Sequence, residues 1–174
     1  MLISLRNNSQ ITLLTGDIPN FNKIQSELIS VIDLSEDVQK QKTNLKCKMT
    51  DWKMHNSQNC FKQIADAVKD HVQYYQRKHH KSIHEITVTD CWGAYYTGDN
   101  EAKEHGHYPA LWSGVAYIKC DTSSQPTVFP TCNYEHPPKE GTYIIFPGWL
   151  KHFVKPGSDS RYICAFNMRA LNII

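Results

Sequence analysis

The chain has 174 residues, of which 40% are hydrophobic and 21% charged, and its formal net charge is +2. This length and composition fit one globular domain with a substantial core. The small net charge and the absence of a dense Lys/Arg block argue against a nucleic-acid partner, and no apolar run approaches the length of a membrane span.

The first residues lack a basic segment followed by a long apolar stretch, so no signal peptide is expected. Six cysteines are scattered at positions 47, 60, 91, 120, 132 and 164 without a Cys-x-x-Cys pair. This spacing argues against a zinc ribbon or a thioredoxin-like redox pair. We therefore expect a soluble cytoplasmic protein with reduced, packed thiols. The sequence leaves the oligomeric state open, a homodimer included.

The N-terminal half is predicted to be mainly helical. A short strand is expected at residues 11–14, followed by a turn at 15–17. Apolar residues at helical spacing predict one helix over residues 21–32, capped by Asn20, and a second over residues 57–79. The polar stretch between the two is expected to form a loop. Together these helices form a predicted support for the fold, about residues 17–82.

From about residue 83 the pattern changes to short strands separated by turns. Strands are predicted over residues 83–96, 105–119, 127–129, 142–146, 150–154 and 161–168. Helices followed by many short strands indicate an α+β, mainly β fold. Short strands with long connections are typical of a jelly-roll barrel, which would occupy about residues 83–170 of a single domain spanning 1–174.

Histidines at two places in the β half indicate a metal site. His105 and His107 are one residue apart, and side chains at i and i+2 of an extended strand point to the same face. His152 lies on a later predicted strand. Three imidazoles from two strands can occupy one face of an octahedral ion and leave adjacent positions open. Non-haem Fe(II) oxygenases bind their metal in a similar way, with two histidines and one carboxylate.

Arg161 opens the last predicted strand, where strand parity gives it the same face as Ala165 and Asn167. An arginine facing the barrel interior is costly unless it meets a carboxylate, which it can bind with two parallel hydrogen bonds. A dicarboxylate cosubstrate is therefore a reasonable partner. The alternative is a surface salt bridge with Glu135 or Asp159.

Five motifs in this order resemble those of the Fe(II)- and 2-oxoglutarate-dependent dioxygenases. The resemblance is strongest to a small branch of that superfamily with a His-x-His…His pattern, and it covers about residues 86–169. The motifs are Trp92 to Gly98, His105-Gly106-His107, Ser113 to Tyr117, Phe146 to His152, and Arg161 to Asn167.

The resemblance implies a double-stranded β-helix (jelly-roll) barrel with N-terminal supporting helices. The implied Fe(II) ligands are His105, His107 and His152, and the implied contacts for 2-oxoglutarate are Arg161, Tyr96 and Asn167. No catalytic residue is implied beyond the metal ligands. The implied activity is the hydroxylation of a small molecule or peptide, with release of succinate and CO2.

His107 departs from the commonest superfamily pattern, which has Asp or Glu at this position. Glu104 directly precedes His105 and so faces the other way in a regular strand. An all-histidine site is therefore predicted, one unit more positive than the usual site.

Two other functions remain open. One is a cupin-like three-histidine dioxygenase that does not use 2-oxoglutarate, and the other is a jelly-roll that binds a ligand without catalysis. The substrate is not specified by the aromatic residues expected around the mouth, which are Tyr95, Tyr108, Trp112 and Trp149.

Overall fold

The computed structural model describes residues 1–4, 10–36, 45–80, 84–98, 100–121, 123–157 and 160–171. In these residues the helices are α1 (Phe21–Leu34) and α2 (Asn59–His79). The strands are β1 (Leu2–Ser4), β2 (Gln10–Thr12), β3 (Leu14–Asp17), β4 (Leu45–Lys46), β5 (Lys48–Met49), β6 (Ile86–Tyr96), β7 (Glu101–His105), β8 (Trp112–Lys119), β9 (Thr127–Phe129), β10 (Tyr134–His136), β11 (Thr142–Pro147), β12 (His152–Val154) and β13 (Arg161–Ala170).

Most of the strands form two antiparallel sheets that face each other. The six-stranded sheet has the order β3-β11-β8-β13-β6-β5, and the five-stranded sheet has the order β10-β9-β12-β7-β4. Strands β1 and β2 form a separate pair. The long strand β13 lies inside the larger sheet, between β8 and β6. This is the predicted α+β, mainly β jelly-roll architecture.

The two helices pack on the outer face of the six-stranded sheet. Helix α1 buries Ile24, Leu28 and Ile32, which recur at helical spacing as the sequence predicts. Helix α2 adds a longer apolar stripe, and β13 contributes Cys164, Phe166 and Met168 to the same cluster. Neither described helix combines the length and apolar composition needed to span a bilayer.

A second buried layer lies between the two sheets. It is rich in aromatic residues and includes Trp92, Tyr96, Tyr117, Phe129 and Phe146. Side chains alternate across a strand, so each strand of the larger sheet supplies one set of residues to the helices and the other to this inner layer. The candidate site lies within the inner layer.

Several predicted boundaries differ from the structure. The predicted strand 105–119 is two strands in different sheets, because β7 ends at His105 and β8 begins only at Trp112. Residues 15–17, predicted as a turn, continue β3, and the predicted loop contains β4 and β5. These strands have too few residues for a period to be read. They form because they pair with longer strands, β3 with β11 and β5 with β6.

The predicted helix starts are close to those observed, but Asn20 does not cap α1 as the sequence predicts. Helix α1 begins at Phe21, yet Asn20 adopts a left-handed conformation with φ 52° and its side chain makes no capping hydrogen bond. Its carbonyl oxygen instead accepts a hydrogen bond from the Lys23 N–H at 2.8 Å. Residue 83, where the predicted β half begins, lies outside the described residues.

Candidate metal centre

Three histidines converge at one point of the inner layer. His105 is the last residue of β7 and His152 the first residue of β12, and the two are direct partners in antiparallel register. The ring centroids of His105 and His152 are 4.5 Å apart, and those of His107 lie 4.9 Å and 5.1 Å from them. One ring nitrogen from each residue lies within 4.8 Å of the others, so a single ion can contact all three.

His107 reaches this point from a loop, not from the strand that the sequence predicts. Its N–H donates to the Gly148 carbonyl oxygen at 2.7 Å, and its own carbonyl accepts from the Ala110 N–H at 2.7 Å. A Cβ at position 148 would collide with the Ala110 carbonyl oxygen, so only glycine allows the two loops to approach this closely. The loop also contains a cis peptide bond between Tyr108 and Pro109.

Backbone carbonyls orient two of the three rings. His105 Nδ1 lies 2.6 Å from the Lys103 carbonyl oxygen, and His152 Nδ1 lies 3.2 Å from the Leu150 carbonyl oxygen. A carbonyl only accepts, so Nδ1 carries the proton in both rings and Nε2 keeps its lone pair. Metal-binding histidines have this arrangement, with one nitrogen held by the protein and the other free for the ion.

Burial keeps the three imidazoles neutral. It lowers the pKa of His107 to about 3, with a smaller contribution from the nearby His105 ring. Burial also lowers the pKa of His152 well below its usual value, and both neighbouring imidazoles add to the effect. The pKa of His105 is lowered by burial as well. Neutral rings can bind a metal ion without first losing a proton.

The candidate ligand set is composed of histidines alone within the described residues. Glu104, the carboxylate directly before His105, faces outward and lies 3.7 Å from Lys151 Nζ. No group of metal-binding type other than these three histidines is formed by the residues that the structure describes. Asp99, the other carboxylate near the motif, lies outside them.

Arg161 lines the same cavity as the three histidines. It is only 4% exposed, one guanidinium nitrogen donates to the Gln125 carbonyl oxygen at 2.7 Å, and the group lies 4.4 Å from the centre of the Tyr96 ring. Its Nε is buried and has no hydrogen-bond partner in the described chain. No described carboxylate forms an ion pair with it, and Asp159 lies outside the described residues.

Tyr96 contacts the Arg161 guanidinium with the face of its ring and not with its hydroxyl. Burial raises the pKa of Tyr96 well above its usual value, and the hydroxyl is close to the Cys47 thiol. The aromatic face therefore supports the guanidinium, a contact typical of arginine.

Two hydroxyl groups that the sequence did not mark as site residues also line the cavity. Tyr117 on β8 and Thr127 on β9 are buried, and their oxygens are 3.0 Å apart. Burial raises the pKa of Tyr117 to about 12, although the Thr127 hydroxyl and Arg161 act in the opposite direction. The phenol therefore stays protonated and can donate a hydrogen bond. Tyr117 lies two residues after Val115 on β8, so the alternation of the strand gives both residues the face that lines the cavity. Thr127 has no such signal in the sequence, because it comes from the opposite sheet.

Asn167 is not among the residues that line the cavity. It shares strand parity with Arg161, but six residues of extended chain cover about 20 Å, more than one molecule of 2-oxoglutarate can span. Its side-chain amide instead donates to Asp90 Oδ2 at 3.4 Å.

The predicted mouth aromatics divide into two pairs. Tyr108 and Trp149 are exposed, by 89% and 55%, in the loops that hold His107. Tyr95 stacks on Tyr162, outside the residues that line the cavity, and Trp112 packs against Tyr75 of α2. The second pair therefore belongs to the outer layer, because its strand positions alternate with those of the cavity residues.

The side chains that line this cavity fit a metal ion and a carboxylate ligand. Three neutral nitrogen donors on one side suit a divalent transition metal such as Fe(II), with the remaining positions left for other ligands. A buried guanidinium with an unpaired N–H suits a carboxylate, which can accept from it.

No protein-family model matches this sequence, and no curated protein matches it significantly. Solved structures do match it over nearly the whole chain. A viral collagen prolyl hydroxylase from Paramecium Bursaria Chlorella virus-1, in complex with 2OG, is 18% identical with a TM-score of 0.69 and covers 91% of this chain and 96% of its own. A prolyl-4-hydroxylase from Pseudomonas putida is 12% identical with a TM-score of 0.69, covering 92% and 93%.

HygX from Streptomyces hygroscopicus, with nickel, 2-oxoglutarate and hygromycin B bound, is 9% identical with a TM-score of 0.68 and covers 92% of this chain and 83% of its own. These similarities support the resemblance that the motifs indicate. The chain has the fold of the 2OG-Fe(II) oxygenases.

Proposed function

We propose that this protein is an Fe(II)- and 2-oxoglutarate-dependent dioxygenase that hydroxylates its substrate. The observation that carries the proposal is the combination, within one cavity, of three neutral imidazoles and a buried arginine that has no carboxylate partner among the described residues. Three histidines alone would also suit a structural metal ion, and a buried arginine alone would also suit a role in packing. Together they match a metal ion and a dicarboxylate that bind side by side.

In the proposal, His105, His107 and His152 hold the ion through three nitrogens. The hydrogen bonds from His105 and His152 to backbone carbonyls fix those rings before the ion binds, so little ordering is needed on binding. When bound, Fe(II) supplies the activation of oxygen, coupled to the conversion of 2-oxoglutarate to succinate and CO2.

Arg161 is the proposed anchor for the distal carboxylate of 2-oxoglutarate. Its Nε and the Tyr117 hydroxyl can donate to that group. The Tyr96 ring packs against the guanidinium and supports it. Because Arg161 is buried, its hydrogen bonds to a carboxylate are protected from competition with water. Asn167 is too distant along β13 to act on the same carboxylate, and we propose no direct cosubstrate contact for it.

The substrate is proposed to be a peptide or a small molecule. One structurally similar protein, a prolyl hydroxylase from Trichoplax adhaerens, is in complex with a hypoxia inducible factor peptide fragment, and HygX binds hygromycin B. The cytoplasm is the compartment that we propose, because none of the six cysteines, which all lie in described residues, forms a disulfide bond, as is typical of a reducing environment.

A second candidate is a three-histidine dioxygenase that does not use 2-oxoglutarate. The absence of a carboxylate from the described ligand set favours it. Arg161 favours the first candidate. It is buried without a carboxylate partner among the described residues, and a cavity that needs no organic anion has no evident use for a buried guanidinium.

The first test is the affinity of the zinc-substituted protein for 2-oxoglutarate, measured by titration calorimetry so that no turnover occurs. Arg161→Met is expected to weaken binding by about 10- to 100-fold, because hydrogen bonds to a charged group contribute about 1.5–3 kcal/mol. Arg169→Met is the matched control, since Arg169 is exposed on the same strand.

The results separate the candidates. Unchanged binding in Arg161→Met would contradict the role of this residue. Iron-dependent succinate formation by the unaltered protein supports the first candidate, whereas oxygen consumption without 2-oxoglutarate supports the second.

A further inference from the structure

A β-bulge interrupts the pairing of β6 with β13 just beyond the cavity. Asn167 pairs with Asp90, but the next residue, Met168, pairs with Val88. Thr89 is therefore the extra residue in β6. Bulges of this kind bend a strand and redirect its side chains, and they occur frequently next to active sites.

The residues of β6 from Asp90 onward lie on the cavity side of the bulge and keep a regular alternation. Trp92 lines the cavity, and Asp90, two residues before it on the same strand, has the same parity. Asn167 lies directly opposite Asp90, and the cavity residue Ala165 lies opposite Trp92. Without the extra Thr89, the register would give the residues before Asp90 the opposite faces. Asp90 and Asn167 therefore continue the cavity wall outward from Trp92.

The hydrogen bonds of Asp90 leave part of the carboxylate unused. Its Oδ2 accepts from the Thr89 hydroxyl at 2.9 Å and from the Asn167 amide at 3.4 Å. The amide must turn its NH2 group to Asp90, because a carboxylate only accepts, and this leaves Asn167 Oδ1 as a second acceptor. Asn167 Oδ1 is buried and has no partner among the described residues.

No cation neutralises this pair in the described chain. The ion pairs there involve Asp66 and Glu104, not Asp90. His55 interacts electrostatically with Asp90, but burial lowers the pKa of His55, so this imidazole is neutral at physiological pH. Lys53 is exposed and forms no described ion pair with Asp90.

Aromatic surface adjoins the two acceptors. Trp92 is 2% exposed, its ring centroid is 4.7 Å from that of the half-buried Trp52, and it lies 6.3 Å from the ring of His107. Indole faces attract cations, most strongly where water is excluded. A carboxylate, an amide oxygen and indole rings together form an environment suited to a positively charged nitrogen.

We infer that Asp90, Asn167 and Trp92 form a substrate subsite that selects a protonated amine or a guanidinium group. The inference rests on the proposed oxygenase function, because it assigns this subsite to the substrate of that reaction. Trp92 lies between the subsite and the three histidines. In the substrate, the carbon that is oxidised is therefore separated from the charged nitrogen by only a few bonds.

The test uses four small probes and the fluorescence of the tryptophans in zinc-substituted protein with 2-oxoglutarate. N-acetyl-arginine amide and N-acetyl-lysine amide carry the charge, whereas N-acetyl-citrulline amide and N-acetyl-norleucine amide are their neutral counterparts. We expect saturable quenching by at least one charged probe, at least 10-fold tighter than by its neutral counterpart. Asp90→Asn is expected to remove this preference, because it keeps the shape of the side chain and loses its charge.

Asp51→Asn is the matched control, since it removes the same charge from an exposed residue beside Trp52. It is expected to retain the preference. Asn167→Leu, a second variant, is expected to weaken the binding of the charged probe. Its thermal melting temperature is expected to change by no more than a few degrees. Equal binding of charged and neutral probes, binding of neither, or an unaltered preference in Asp90→Asn would overturn the inference.

The failure of the proposed function has a different result. In that case 2-oxoglutarate fails to bind in calorimetry, and the probe titration is repeated without it. Selective binding of the charged probes would then still support the subsite, while the oxygenase role would be lost.

Discussion

The six-stranded sheet separates two buried layers that differ in chemistry. On its outer face, Phe61, Val68 and Phe166 are 0% exposed and pack in a cluster that is almost entirely apolar. On its inner face, His152, Arg161 and Thr127 are buried among aromatic side chains. Both layers exclude water, and the outer one includes the buried Gln76 amide of α2. The buried basic side chains in the described chain, His152 and Arg161, lie in the inner layer, and such groups are costly to bury.

The difference shows what each layer contributes. An apolar layer stabilises the fold in proportion to the area removed from water. A buried group such as Arg161 Nε or the Trp92 N–H, without a partner in the described chain, lowers the stability of the ligand-free protein. The outer layer therefore supports the sheet, and the inner layer holds unpaired groups that a ligand can satisfy.

Phe166→Ala tests the outer layer and has the largest expected effect. The ring is fully buried and covers Gly114 of the neighbouring strand, so its removal leaves a cavity. We expect the free energy of unfolding to fall by about 3–5 kcal/mol in urea denaturation. Tyr74→Ala, at an exposed position of α2, is the control and is expected to change it by less than about 1 kcal/mol.

The affinity for metal sharpens this test. If Phe166 only supports the sheet, the folded fraction of Phe166→Ala binds zinc as tightly as the unaltered protein. A large loss of zinc affinity per folded molecule would break the distinction between the layers.

His152→Ala tests the inner layer. We expect the affinity for zinc to fall by more than about 100-fold, because removing a residue that only orients a ligand already costs 10- to 100-fold. The free energy of unfolding of the metal-free protein is expected to fall by less than in Phe166→Ala. The imidazole of His152 is polar and costly to bury, so its removal loses less stability than the removal of an apolar ring. Competition with a chromogenic chelator measures the first quantity, and His84→Ala, at an exposed histidine, is the control.

The sequence predicted the residues of the inner layer that belong to compact motifs. His105, His107 and His152 converge, although His107 does so from a loop and not from a strand. The loop geometry depends on the close approach of Gly148 to Ala110, a tertiary contact that no local pattern specifies. The convergence of the three histidines was thus predictable from the sequence, but the loop contacts that support it were not.

Residues whose position depends on pairing between strands could not be predicted. Thr127 belongs to the three-residue strand β9, which lines the cavity only because the five-stranded sheet faces the larger one. Asp90 and Asn167 meet only because β6 pairs with β13 in this register. The bulge at Thr89, which changes the faces of the residues before Asp90, has no period that can be read. The helices were predictable to within two residues, because their apolar spacing repeats over several turns.

Tyr117→Phe has the smallest expected effect and tests whether the inner layer binds its ligand through its hydroxyl groups. The phenol lies 3.0 Å from the Thr127 hydroxyl and remains protonated, since burial raises its pKa to about 12. If it donates to the distal carboxylate of 2-oxoglutarate, its loss weakens binding by about 5- to 30-fold, or about 1–2 kcal/mol. Titration calorimetry on zinc-substituted protein measures this change.

Tyr134→Phe is the control for that variant. It also removes a phenol that makes a hydrogen bond, in this case to His136 Nδ1 at 3.1 Å, but at a position outside the cavity lining. An equal affinity for 2-oxoglutarate in both variants would mean that the Tyr117 hydroxyl serves only the fold. Because the ring of Tyr117 remains in place in the variant, a loss restricted to it isolates the hydroxyl group as a cosubstrate contact.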